Sequence, residues 1–279
     1  MTEFSYSTAG FIDRSLELAL TAIAEAGFIR VEISSQEAHL SRPPAADDLA
    51  SLRRHLDSLG LRVGTVHAPM RENVLGAPEE EWRRDKVAVL SAYLHSAAGL
   101  DAGGLIIHPV PNPIFVPDPE RPELTGMITA ATRRSLDDLV PVAQATGVRM
   151  LLENLPYHCA YPFLSMTELR ALVDDYPEDA VSLIVDTGHA WTTGHDPAVE
   201  IRTAGTRLHG THLQDVDAED PQDNHWVPGE GGLDWPAIAN ALRDVDYDGL
   251  WTFEAIYGRQ QESPEQVAIM TQRFSRIWP

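Results

Sequence analysis

The chain alternates between two hydrophobic rhythms. Short apolar runs, several of them β-branched, recur between longer stretches in which apolar residues return every three or four positions. The runs predict eight strands, over Phe4–Ser7, 28–33, 61–67, 104–108, 148–153, 181–185, 207–212 and 249–254. The helical spacing predicts helices over 12–26, 47–59, 79–98, 125–145, 166–176, Pro197–Ala204, 235–243 and Pro264–Ile277. Gly27 and Gly60 stand where the first two should stop. GLIIH at 104–108 and VSLIV at 181–185 are apolar almost throughout, which is how strands buried on both faces read. Eight strand–helix units in about 250 residues predict an α/β fold, a single (β/α)8 TIM barrel spanning 1–279 as one domain. The alternative is an open doubly wound sheet, but no GxGxxG follows the first strand.

Two connections stand out. Residues 109–124 carry six prolines and predict a long stiff loop, since proline has no N–H for a helix or inner strand. The run at 181–185 leads into Asp186, Gly188 and His189, read as a glycine-containing loop at a strand end. In a barrel of this kind the strand ends carry the chemistry.

Composition narrows the field. A net charge of −21 disfavours nucleic acid and anionic membranes, both polyanions, as partners. No apolar run reaches the roughly 18 residues of a membrane span, and the N-terminus lacks the basic start and apolar core of a secretion signal. Cys159 is the single cysteine, so an internal disulfide and paired-thiol redox chemistry are out. A cytoplasmic location is expected, and a homo-oligomer is possible. The single lysine, Lys86, lies in a helical stretch rather than at a strand end, which argues against Schiff-base chemistry.

The polar residues that end the strands are Glu32, His67, His108, Glu153, Asp186, His212 and Glu254, with His189, Asp223 and His225 in adjoining loops. Singly, each is an ordinary hydrogen-bonded rim or core residue. Jointly they bring mutually repelling carboxylates to one barrel mouth with no lysine to neutralise them, and buried charges must be paired or coordinate metal. One divalent metal among a Glu, an Asp, a His and a Glu supplies the compensation, and the oxygen-rich set suits Mn²⁺, Mg²⁺ or Co²⁺, with Zn²⁺ suiting the imidazoles. No nucleotide cofactor is indicated. Glu32 is a candidate for binding a substrate hydroxyl or for supporting a ligand. Trp191, Trp226, Phe115 and Tyr157 are candidates for an apolar wall against a sugar ring, or simple packing. Cys159 has no clear base partner and reads as an inert thiol. GEGG at 229–232 is either a phosphate cradle or a tight turn.

LLEN, LIVDTGHAW, LHGTHLQD, DNHWVPGEGGLDW and WTFEA together resemble the xylose-isomerase-like TIM-barrel superfamily, the sugar phosphate isomerase/epimerase proteins related to the endonuclease IV family. The resemblance covers essentially the whole chain. It implies metal ligation by Glu153, Asp186, His212 and Glu254. It also likens His67, His108, His189, Asp223 and His225 to the additional ligands of a three-zinc endonuclease IV site. The chain departs from tagatose/psicose-type epimerases in two places. NLPYHCAYP lacks their second glutamate after strand five, and LQDVDAEDP lacks their arginine after the strand-seven histidine.

The expectation is therefore an isomerase or epimerase of a sugar, polyol or related keto compound, working through a metal-stabilised enediolate. Glu153 and Glu254 would remove and return the proton from opposite sides, and His189 would orient a substrate oxygen. The alternatives are a dehydratase of the inosose or dehydroshikimate type on the same site, and a multi-zinc phosphodiester hydrolase. A non-catalytic metal-binding module is a third.

Overall fold

A computed structural model describes residues 3–278. Eight parallel strands close on themselves: β1 (Phe4–Ser7), β2 (Arg30–Ser34), β3 (Arg62–His67), β4 (Gly104–Ile107), β5 (Arg149–Glu153), β6 (Val181–Asp186), β7 (Leu208–Leu213) and β8 (Trp251–Phe253). β1 pairs with both β2 and β8, so the sheet has no free edge. The expected (β/α)8 barrel is what the chain forms. Around it run α1 (Leu16–Ala26), α2 (Ala46–Leu59), α3 (Glu80–Gly99), α4 (Leu124–Thr146), α5 (Met166–Val173), α6 (Thr187–Thr192), α7 (Pro197–Ala204), α8 (Trp235–Asp244) and α9 (Pro264–Ile277).

Local chemistry sets the helix ends. Ser15 caps α1 by accepting from the Leu18 N–H, so the helix begins four residues later than its apolar spacing suggests. Gly27 then ends it at φ 100°, a left-handed conformation that costs glycine little. After β6 the expected loop is a correction: Thr187–Thr192 is helical. Asp186 accepts from the His189 N–H and so caps the turn that its own side chain was thought only to precede.

Apolar side chains pack in two places. The larger core lies between barrel and helices, with Leu20, Ile33, Leu90 and Leu94 fully buried. A small inner core of Ile106, Leu151 and Ile184 plugs the barrel itself. Because successive strand residues alternate faces, the positions two further along from this plug point the same way. They are His108, Glu153 and Asp186. Glycine makes room for the plug, since a Cβ at Gly104 would lie 2.8 Å from Leu151 and one at Gly210 3.1 Å from Ile184.

Candidate metal and active site

Above the plug, the strand ends deliver their polar residues to one point. His212 sits at the centre, fully buried. Its Nδ1 faces Glu153 Oε1 at 2.9 Å, Glu254 Oε2 at 3.2 Å and Asp186 Oδ2 at 4.0 Å. Its Nε2 faces Glu32 at 3.1 Å on the opposite side. Candidate ligand atoms of Glu153, Asp186, His212 and Glu254 all lie within 4.8 Å of one another.

Two further groups flank the first. Glu153 also presents Oε2 to His108 Nε2 at 3.3 Å and to His67 Nε2 at 3.5 Å. On the other side, His189 Nε2 and His225 Nε2 lie 3.3 and 3.1 Å from Asp223 Oδ1. All ten polar residues singled out from the sequence are thus in or against one site. The grouping around Glu153 and around Asp223 is what the tertiary structure adds.

The residues fit divalent ions on two counts. Glu153 Oε2 is buried and has no hydrogen-bond partner among the described residues, which is costly unless something else satisfies it. The imidazoles are also pre-oriented. His67 Nδ1 is 2.7 Å from the Ala68 carbonyl, His189 Nδ1 2.9 Å from the Asn154 carbonyl and His225 Nδ1 2.9 Å from the Glu254 carbonyl. Each N–H so donated leaves Nε2 as a bare acceptor facing inward, the arrangement that metal-binding histidines adopt. Glu32 does the same for His212 Nε2, and Thr65 Oγ1 holds Glu32 by donating at 2.7 Å. Glu32 therefore holds a candidate ligand from below and does not line the cavity above.

Without a cation the groups share protons. Burial pushes Glu153 up, but the charge on His212, its hydrogen bond to Glu153 and the nearby imidazoles of His108 and His67 outweigh burial and hold this carboxyl well below its usual range. Burial dominates at Glu254 and Asp186, and both are raised. Burial opposes charge on His189, His212 and His225, yet the surrounding carboxylates win. His189 and His212 lie well above their ordinary value of 6.5, and His225 is pushed up to about 9. His108, against one carboxylate and two other imidazoles, is lowered by burial.

A cavity of about 150 Å³ opens above the cluster, lined by polar Ser34, Gln36, Asn112 and Tyr157 and by apolar Met70 and Ile256. Of the four aromatics considered for a wall, only Tyr157 lines it. Trp191 donates to the Ala218 carbonyl at 3.3 Å, Trp226 pairs with Asp215 under the Arg259 guanidinium, and Phe115 lies beneath Arg71. Aromatics in rim loops found partners in the loops themselves. GEGG is a tight turn rather than a cradle. Asp215 accepts from Gly229 N and Leu233 N, and a Cβ at Gly231 would run into Asp215 and the Val216 carbonyl. The Cys159 thiol is half-buried, and burial raises it further. Glu153 and Glu254 do not face each other across a gap. Long side chains on a narrow barrel reach its axis, so both meet at His212 and a substrate would lie over them.

Gln214 and Asn154 escaped the sequence reading. Asn154 holds Asp186 by both main-chain groups, accepting from its N–H at 2.8 Å and donating to its carbonyl at 2.9 Å. Gln214 is two residues past His212 and shares its inward face, a parity signal that could have found it.

The sequence profile of the xylose isomerase-like TIM barrel family matches residues 20–276. This chain belongs to that family. Among its relatives in the xylose isomerase-like family is an uncharacterized protein of Methanocaldococcus jannaschii, 24% identical over 90% of this chain and 83% of its own length. A D-psicose 3-epimerase of Enterocloster bolteae is 32% identical over 43% of this chain and 38% of its own. An inosose dehydratase of Clostridium tetani is 24% identical over 68% of this chain and 64% of its own. Solved structures share the fold. A D-tagatose 3-epimerase-like protein superposes with a TM-score of 0.82 at 21% identity, covering 99% of this chain and 97% of the other. A D-psicose 3-epimerase crystallised in the presence of D-fructose also gives 0.82, at 19% identity and 99% of both chains. Among the described residues no helix is long and apolar enough to cross a membrane.

Proposed function

We propose that the chain is a divalent-metal-dependent isomerase or epimerase of a small sugar, polyol or related keto compound. The observation that carries this is the convergence of Glu153, Asp186, His212 and Glu254 within 4.8 Å beneath a small, polar-lined cavity. Those four residues would hold the ion, which when bound stabilises negative charge developing on a carbonyl oxygen as an adjacent proton leaves. Glu153 and Glu254, both at the floor of the cavity, are suited to take that proton and to give it back. Such acid–base groups contribute roughly 10²–10⁴-fold each. His189, fixed through Asn154, is placed to hold a substrate oxygen by its Nε2. Epimerase and dehydratase relatives both support proton abstraction beside a carbonyl as the first step, with loss of hydroxide as the branch that would make this chain a lyase.

Phosphodiester hydrolysis is the second reading, favoured by the groups His67–His108–Glu153 and His189–Asp223–His225 on either side of the first. Several ions in a row suit a phosphoryl centre. Against it, no arginine or lysine lines the cavity among the described residues, and the net charge is −21.

Elemental analysis of purified protein, paired with a ketose and inosose panel in D₂O and an abasic-site duplex, tests both. We expect solvent deuterium on a carbon next to a carbonyl, and sharply reduced metal in Asp186→Asn and His212→Ala. Cleavage of the duplex with an inert sugar panel would replace the first reading by the second. Full metal content in both folded variants would refute the four-residue site.

A further inference from the structure

Gln214 lies fully buried between two of the candidate ion groups and makes contact with both. Its Nε2 donates to Asp186 Oδ1 at 3.2 Å and to Asp223 Oδ1 at 3.1 Å. Its Oε1 accepts from the His225 main-chain N–H at 2.9 Å. An amide has two N–H groups and one carbonyl, so every polar function of this side chain is used and its orientation is fixed. Only the oxygen can accept from a backbone N–H, and only the nitrogen can donate to two carboxylates.

The surroundings are built to hold it. Thr187 Oγ1 donates to the Gln214 carbonyl at 2.7 Å and accepts from its main-chain N–H at 3.0 Å. A Cβ at Gly188 would run into the Gln214 amide, so the glycine of the Asp-Thr-Gly-His stretch is there to let this side chain lie flat on α6. His225 is a non-glycine residue at φ 48°, a strained conformation that its bond to Gln214 helps to maintain.

We propose that Gln214 is a positioning residue that sets the central group, through Asp186, and the His189–Asp223–His225 group in register as ion-binding sites. The inference rests on the divalent-ion reading of the site, extended to a second ion at the flanking group, where His189 Nε2 meets that ion in place of a substrate oxygen. Hydrogen bonds to ligating groups typically change metal affinity 10–100-fold when removed, and here one amide orients a carboxylate in each of two groups. It also supplies each carboxylate with a donor that does not compete for the ion.

The test is titration of the metal-free full chain with cobalt(II), followed by visible absorption, for wild type, Gln214→Met and Gln214→Asn. Methionine keeps the length and loses all three hydrogen bonds. Asparagine keeps the amide but is one methylene too short to span both carboxylates. His189→Ala identifies the absorption band that belongs to the flanking group. We expect that band to require roughly tenfold or more cobalt in both variants, and hydrogen exchange over residues 221–226 to quicken in the metal-free protein. An unchanged band and affinity in a folded variant, even one with a lowered Tm, would reduce Gln214 to a structural residue and overturn the proposal. If Gln214→Met fails to fold, Gln214→Asn carries the same test. A wild-type chain with no cobalt band sensitive to His189→Ala also overturns it. The central site stands or falls separately, on the metal content of Asp186→Asn and His212→Ala.

Discussion

The two mouths of the barrel are built from the same eight strands and solve opposite problems. At the C-terminal mouth, carboxylates and imidazoles are buried against one another in groups that could hold divalent ions. At the N-terminal mouth, Arg30, Arg62 and Arg149 open β2, β3 and β5, and a cavity of about 210 Å³ lined by glycines, Leu151 and Ile184 reaches up to the plug. Two of its charged groups are paired at the surface, Arg30 with Glu3 at 2.9 Å and His209 with Glu178 at 3.1 Å. Exposed pairs of this sort contribute about 0–1 kcal/mol. The difference teaches where this molecule keeps its stability and where it keeps its chemistry. The plug is apolar and needs no partner beyond its own packing. The upper mouth gathers perturbed ionisable groups, which makes it the candidate for chemistry.

The largest effects should come from the upper mouth and should be effects on rate. Glu153→Gln and Glu254→Gln keep shape but cannot accept or return the proton, so turnover should fall roughly 10²–10⁴-fold with folding intact. Steady-state assay beside circular dichroism measures this, and wild-type turnover in either variant would end the two-glutamate scheme. Next comes the plug. Leu151→Ala removes a buried side chain and should cost about 2–5 kcal/mol in denaturant unfolding, while turnover per folded molecule changes little. The reverse pattern would merge the two regions.

A smaller effect should separate the metal-free protein from the loaded one. His189, His212 and His225 have folded values raised above the ordinary 6.5, His225 to about 9. Their protonated forms therefore contribute stability that is fully present below pH 6.5; the share of His225 is lost as pH rises through about 9, and the shares of His189 and His212 are lost well above 6.5. Thermal melts of the metal-free chain should fall across that window. With metal bound the imidazoles are already deprotonated, and the fall should vanish. Parallel curves for both forms would show that these histidines do not bind the ion. The smallest effect belongs to the base. Arg149 has no side-chain hydrogen bond or ion pair among the described residues, and Arg149→Ala should change unfolding free energy by no more than about 0.5 kcal/mol. A larger loss would mean that the lower mouth carries a role of its own.

Much of this contrast was legible in one dimension. GLIIH, LLE and VSLIVD each show an apolar residue two positions before a functional one, and that parity is a local property of a strand. The fold followed from counting such units, and the rim residues from where each ended. What the sequence could not carry was distance around the ring. Glu153 and His212 are 59 residues apart and touch at 2.9 Å, and nothing in either neighbourhood announces that Glu153 serves two groups at once. Apolar spacing does not signal α6, whose one local sign is that Asp186, a candidate ligand, also stands where a helix cap would.

The sequence by itself determined the alternation of strands and helices, the closure they imply, and the set of ionisable residues delivered to one mouth. These depend on period, turn residues and side-chain parity, which are short-range. Only the tertiary structure decided which of those residues meet. It placed Glu32 beneath His212, left three of four rim aromatics outside the cavity, and wedged Gln214 between Asp186 and Asp223. Those outcomes depend on barrel radius, side-chain reach and the exclusion of one packed group by another. They exist only once the ring has closed.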